Sequence, residues 1–306
     1  MIIKILVFIW LPLQVYLAEN YREKPVPEGD FEDITLPIRR AGNLILVEAQ
    51  VDSIRGNFIL DTGAPYLVLN KTYFRDYPSF SHFSSNGITG AGNGTFTTEV
   101  EQLGLRKLFY RKVVADVTNL AEIENAKGVK ILGLLGTNLF SDLEVEIDLK
   151  NSVLKIYRLG KKGQRVTGEP EEGLCDFNFD FSQRGDIIVL DCLVNGEKLK
   201  FCFDTGAEAM VLHNNLKDEV YTAVQLTGSR KLVGSSGQAV EVLSGMLKEL
   251  DAGCPIENSQ VVITDLAPLS RSYRYSIDGM LGYDLLRAGK VSINFKNKEI
   301  KVRRNP

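Results

Sequence analysis

Residues 42–70 read GNLILVEAQVDSIRGNFILDTGAPYLVLN, and residues 185–213 read GDIIVLDCLVNGEKLKFCFDTGAEAMVLH. A shift of 143 residues lays one on the other without a gap and sets Asp204 on Asp61. Most apolar positions fall on apolar positions. In each copy an Asp ends an apolar strand and is followed by Thr, Gly and Ala. A charge at so apolar a strand end is costly unless it is hydrogen bonded. A tight Thr-Gly turn can point backbone N–H groups at the carboxylate, Gly allows close approach, and the Thr hydroxyl can bond another segment.

The repeat continues further along the chain. LLGTNLFSDLEVEIDLKNSVLKIYR starts at Leu134, and MLGYDLLRAGKVSINFKNKEIKVRR starts at Met280, an offset of 146. Between the blocks the likeness fades to one trace, ITGAGNGTFTTEV (88–100) beside LVGSSGQAVEV (232–242). GKKGQRVTGEPEEG (160–173) is rich in Gly and charge and has no apolar periodicity, as a linker would. The organisation expected is two related lobes, 31–158 and 174–306, joined by a linker at 159–173.

The fold expected is mostly β: two barrel-like lobes with a few short helices and a site between them. NLILVEAQV and DIIVLDCLV read as strands, and Asn195-Gly196 as a hairpin turn. Alternation on both sides of Lys150-Asn151 and of Lys296-Asn297 marks a closing hairpin in each lobe. Short helices are expected in TNLAEIENA (118–126) and after Gly136 and Gly282.

Composition narrows the function. The chain has 306 residues, 25% charged and 44% hydrophobic, with a net charge of −3 and its Lys and Arg scattered, so no nucleic-acid footprint is present. Residues 1–18 place Lys4 before an apolar run from Ile5 to Leu13, too short for a comfortable membrane span and suited to a signal peptide. Export to a periplasmic or extracellular space is the expectation, with an N-terminal anchor if the signal is uncleaved, and no stable span in the mature chain. Cys175, Cys192, Cys202 and Cys254 form no C-x-x-C pair, which argues against zinc. One or two disulfides, or buried free thiols, both fit. Only His82 and His213 are available for a triad or a Cys-His pair, and neither lies in a motif. No metal or cofactor is expected.

What remains is the pair of acids. If the two turns meet on a pseudo-two-fold axis, Asp61 and Asp204 cannot both ionise easily. One carboxylate could take a proton from an attacking water while the other, protonated, donates to the substrate carbonyl.

These residues resemble the retropepsin-like aspartic peptidases, in tandem form. The resemblance rests on ILDTGAPYLVL and CFDTGAEAMVL, and on LLGTNLF and MLGYDLL downstream. It implies that Asp61 and Asp204 are the catalytic pair, that Thr62 and Thr205 interlock the loops, and that Gly63 and Gly206 let backbone donors reach the carboxylates. Leu135-Gly136 and Leu281-Gly282 would support those loops from below. A Gly-rich hairpin in each lobe would act as a flap, assigned to 86–98 with Gly90 and Gly92 and to 228–241 with Gly234 and Gly237. The partner implied is a peptide or protein substrate bound by a monomer.

The chain also departs from the family pattern. Retropepsins are usually one short lobe that dimerises. Pepsins are fused but usually carry Ser or Thr where this chain has Ala64 and Ala207. Glu208, after the second turn, is expected to face solvent, and Asp284 to make a structural hydrogen bond or salt bridge. The functional expectation is an aspartic endopeptidase with acid-favoured activity. A non-catalytic peptide-binding module that retains the fold is the alternative, and a processing factor that needs a partner is a third reading.

Overall fold

The computed structural model describes residues 5–6, 23–87, 90–167, 176–184, 187–233 and 239–304. The expected signal segment, 1–18, lies outside them except for Ile5–Leu6, a short strand (β1) parallel to Leu232–Val233. No described helix is long and apolar enough to cross a membrane.

The fold is mostly β, and its elements repeat one for one. The first half begins with Asp33–Pro37 (β2), Arg39–Ala41 (β3), Leu44–Val51 (β4), Ile54–Leu60 (β5) and Leu67–Asn70 (β6). A helical turn Lys71–Phe74 (α1) leads to Ser81–Gly87 (β7), Gly90–Leu105 (β8) and Leu108–Thr118 (β9). Helix Ala121–Lys127 (α2), strand Gly133–Leu135 (β10) and a 3-10 turn Thr137–Phe140 precede the closing hairpin, Leu143–Asp148 (β11) and Val153–Arg158 (β12).

The second half runs through the same series. Phe177–Asp180 (β13), Ser182–Arg184 (β14), Ile187–Val194 (β15), Glu197–Phe203 (β16) and Met210–His213 (β17) come first. Helix Asp218–Thr222 (α3), then Val224–Val233 (β18), Ala239–Asp251 (β19) and Pro255–Thr264 (β20) follow. Helix Ala267–Tyr273 (α4), Gly279–Leu281 (β21), helix Tyr283–Arg287 (α5), Gly289–Asn294 (β22) and Glu299–Arg304 (β23) complete it.

Each half wraps its central strands in the same order. One sheet runs β3-β4-β5-β10-β6-β9-β8-β7, and the other β14-β15-β16-β21-β17-β20-β19-β18 with β1 at its edge. The β15–β16 hairpin turns on Asn195 (φ 49°) and Gly196 (φ 83°), the left-handed pair that the Asn-Gly signal demands.

A third sheet, of order β13-β23-β22-β11-β12-β2, takes three strands from each half. Its centre is the antiparallel pair β11–β22, where Glu144 lies opposite Asn294 and Glu146 opposite Ser292. The closing hairpins expected from the sequence therefore also join the halves.

Residues 159–167, expected as part of a featureless linker, are packed. Gly160 N donates to Gln164 O (2.8 Å) and Val166 N to Arg158 O (3.0 Å). The reason is Arg165, whose guanidinium bonds Glu144 (2.6 Å), Glu146 (3.0 Å) and Ser292 (3.3 Å) and stacks 3.6 Å over the Tyr157 ring. Residues 168–175 lie outside the described residues.

The buried core spans both halves and includes two smaller matching clusters under α2 and α4. Leu44, Ile59, Ala64, Val68, Leu120, Ile123 and Leu134 form one. Ile187, Cys202, Ala207, Val211, Leu266, Leu269 and Met280 form the other. Ala64 and Ala207 are fully buried among these apolar side chains, so a hydroxyl there would need its own partner. That gives the alanines of the two DTGA turns a packing reason.

Candidate active site

Each Asp stands just past the end of a strand that a later strand supports. β10 is inserted beside β5 and β6, and β21 beside β16 and β17. Asp61 N donates to Leu135 O (3.1 Å) and Asp204 N to Leu281 O (2.9 Å). Thr137 N reaches Ala64 O (2.9 Å) and Tyr283 N reaches Ala207 O (3.0 Å). A Cβ on Gly136 would sit 2.6 Å from Tyr66 N, and one on Gly282 would strike the backbone at Asp204 and Ala207, so both positions require glycine. Leu135, Gly136, Leu281 and Gly282, expected beneath the turns, thus lie against the backbone of the two turns.

The two turns meet. Thr62 N donates to Thr205 Oγ1 (3.0 Å), and Thr205 N donates to Thr62 Oγ1 (2.9 Å). Thr62 Oγ1 donates to Phe203 O (2.8 Å), and Thr205 Oγ1 to Leu60 O (2.7 Å). All four bonds cross between the halves and are buried, where such bonds are strongest.

This interlock brings Asp61 and Asp204 together. A Cβ on Gly63 would lie 2.5 Å from Asp204 Oδ2 and 2.7 Å from Oδ1, and one on Gly206 would lie 3.1 Å from Asp61 Oδ1. Each glycine thus makes room for the opposite carboxylate. Gly63 N and Ala64 N donate to Asp61 Oδ1 (2.9 and 3.0 Å), and Gly206 N donates to Asp204 Oδ1 (2.8 Å). The second oxygen of each, Asp61 Oδ2 and Asp204 Oδ2, is buried and has no hydrogen-bond donor among the described residues. The carboxyl groups are within hydrogen-bond reach of each other, so one proton can be held between them.

Burial sets the electrostatics. Neither Asp is exposed to solvent. Burial pushes Asp61 up to about 6, with the bonds from Asp204, Ala64 and Gly63 acting against the rise. Asp204 is raised well above the ordinary carboxylate range, first by burial and then by the charge of Asp61. One carboxyl therefore ionises before the other, with a singly protonated pair between the two steps.

The expected flaps are hairpins. Residues 86–98 lie in β7–β8, with Gly90 and Gly92 on β8 and the turn residues 88–89 outside the described residues. Of residues 228–241, 228–233 lie on β18 and 239–241 on β19, while 234–238, with Gly234 and Gly237, lie outside the described residues.

Glu208 corrects its expectation: its side chain is 8% exposed, not turned to solvent. It bonds Lys127 Nζ through both oxygens (2.6 Å each) and accepts from Asn43 N (2.9 Å), so the cation and amide of the first half repay its desolvation. Asp284 pairs with Arg287 (3.4 Å), a structural contact of the kind expected.

Tyr273, at the end of α4, carried no sequence signal. Its hydroxyl donates to Gly63 O (3.1 Å), inside the first DTGA turn, and meets Cys202 beneath Asp204. The element repeat aligns it with Lys127 at the end of α2, but that stretch of sequence has diverged beyond recognition. Cys192, Cys202 and Cys254 are buried free thiols, and Cys175 lies outside the described residues. His213 accepts from Leu266 N (3.1 Å), a structural role.

Residues 190–285 match the family model described as an aspartyl protease. No curated protein matches the chain. The matched stretch takes in the turn at Asp204 and the support at Gly282, and over it the chain is similar to the aspartyl protease family.

Proposed function

We propose that the chain is an aspartic endopeptidase in which Asp61 and Asp204 form one catalytic pair within a single polypeptide. The observation that carries this reading is the reciprocal bonding of Thr62 and Thr205, which holds two carboxyls from distant parts of the chain against each other. With one proton between them, the ionised carboxylate accepts a proton from water as it attacks the peptide carbonyl carbon. The protonated one donates to the carbonyl oxygen, giving a neutral tetrahedral diol. Collapse of the diol breaks the C–N bond, with a proton passed to the leaving amine and the pair returned to its single-proton state. Both carboxyls are fully buried, so a peptide reaches them only when the elements around them part.

Action as one chain is supported by the β11–β22 pair. The repeat aligns Glu146 with Ser292 and Asp148 with Asn294. Two copies of the first half, paired in the same register, would set Glu146 against Glu146 and Glu144 against Asp148. The second half supplies Ser292 and Asn294 at those places, and both bond carboxylates or their partners. The apolar run from Ile5 to Leu13 supports export of the mature enzyme.

The test is cleavage of a peptide library by the purified chain between pH 3 and 8, with Asp61→Asn and Asp204→Asn as controls. Cleavage that both variants abolish, and that a mimic of the hydrated peptide bond blocks, is the expected result. Binding of that mimic without cleavage by the unaltered chain would favour the non-catalytic peptide-binding module instead.

A further inference from the structure

The two halves treat their acids differently, and the difference begins at the ends of α2 and α4. Lys127 and Tyr273 hold the same place in the repeat, and both cross to the other half. Lys127 is taken by the side chain of Glu208, outside the turn. Tyr273 reaches into the turn itself, donating its hydroxyl to Gly63 O. That carbonyl belongs to the peptide group whose N–H is Ala64 N, and Ala64 N donates to Asp61 Oδ1. A bond at the oxygen of a peptide group strengthens donation from its nitrogen. The matching amide in the second half, Ala207 N, makes the main-chain bond to Asp204 O (3.0 Å) as Ala64 N does to Asp61 O (3.3 Å), but no bond to the carboxylate matches that of Ala64 N.

We propose that Tyr273 is a positioning residue that divides the roles of the pair: through the Gly63–Ala64 peptide it makes Asp61 the ionised carboxylate, the base, and leaves the proton on Asp204, the acid. This rests on the aspartic peptidase reading for its catalytic consequence, but the order of ionisation can be read without catalysis.

The surroundings agree. Gly63 N bonds Asp61 Oδ1 and is turned towards Asp204 as well, so it does not by itself discriminate. The ionisable groups facing the pair are Cys202 from β16 and Tyr273 from α4. Burial raises both, so the thiol stays neutral and the phenol stays a donor throughout the acid and neutral range.

Carboxyl carbon-13 NMR of Asp-labelled full-length protein tests the inference, with the two resonances assigned by their loss in Asp61→Asn and Asp204→Asn. In the unaltered chain Asp61 should titrate first. In Tyr273→Phe, which keeps the ring in its apolar site, that first ionisation should move up by about half to one pH unit. If the chain cleaves peptide, Tyr273→Phe should also shift the acid limb of the kcat profile by the same amount, with KM little changed. Ionisation of Asp204 before Asp61 in the unaltered chain overturns the inference even if Tyr273→Phe does not fold. An unmoved titration in a folded Tyr273→Phe does the same. Absence of cleavage in the unaltered chain counts against the peptidase reading alone, because the titration still reports on Tyr273.

Discussion

Thr62 and Thr205 each place one hydroxyl where it accepts the other's backbone N–H and donates to the strand before the other's Asp. Because these bonds cross the pseudo-two-fold, the turns are fixed relative to each other as well as within each half. Thr62→Val keeps the shape and leaves Thr205 N and Phe203 O buried without that partner. It should cost about 2–4 kcal/mol in urea unfolding, and Thr205→Val a similar amount. In the double variant the losses should depart from additivity by about 0.5 kcal/mol or more. Strict additivity would show that the two hydroxyls do not act as a unit.

Burial of the pair makes it a source of strain at neutral pH. Asp61 is raised from 3.8 to about 6 in the folded chain, so over that interval the folded state binds more protons than the unfolded one. Stability from this group is complete below about pH 4 and is lost as the pH rises through about 6; Asp204, also raised, acts in the same direction. Asp61→Asn and Asp204→Asn should therefore raise Tm above that of the unaltered chain at pH 7, and by much less at pH 4. An equal or larger gain at pH 4 would contradict the burial of the pair. Activity follows the same groups: it should fall as the pH drops through about 6, where the base is protonated.

The repeat was legible because packing constrains it. Leu44, Ile59, Ala64, Val68 and Leu134 line one small core, and Ile187, Cys202, Ala207, Val211 and Met280 line its copy, so the two blocks kept size and polarity. The Asn195-Gly196 turn and the Gly at 136 and 282 were legible because backbone geometry leaves little choice. Residues whose partners lie far along the chain were not. Glu208 meets Lys127 across 81 residues, and Tyr273 meets Gly63 across 210, so neither shows as a local pattern. Divergence hid them too: the fused chain let one position become a Lys that holds a carboxylate and its twin a Tyr that bonds a carbonyl.

The Lys127–Glu208 pair is 10% and 8% exposed, so removing one partner strands the other. Lys127→Ala should cost about 3–5 kcal/mol by chemical denaturation, while Lys127→Met with Glu208→Met should return to within about 1 kcal/mol of the unaltered chain. If Lys127→Ala costs less than about 1 kcal/mol, water rather than Lys127 satisfies Glu208.

Arg165 closes the joint between the halves. Glu144 and Glu146 come from β11, Ser292 and Asn294 from β22, and the guanidinium touches Glu144, Glu146 and Ser292 at once. Asn294 adds a bond to Glu144 Oε2 (3.0 Å). Both glutamates are buried, so Arg165→Met would leave two carboxylates short of their main cation, with Lys290 at 3.8 Å from Glu146 as the nearest replacement. The expected loss is about 3–5 kcal/mol. Arg165→Lys should recover less than half of it, because an ammonium group cannot reproduce the planar fork or its stacking on Tyr157. Full recovery by Lys would show that charge alone matters and that the planar geometry of the cluster adds nothing. A loss confined to a few tenths of a kcal/mol in Arg165→Met would mean that residues 159–167 merely lie against the joining sheet and do not fasten it.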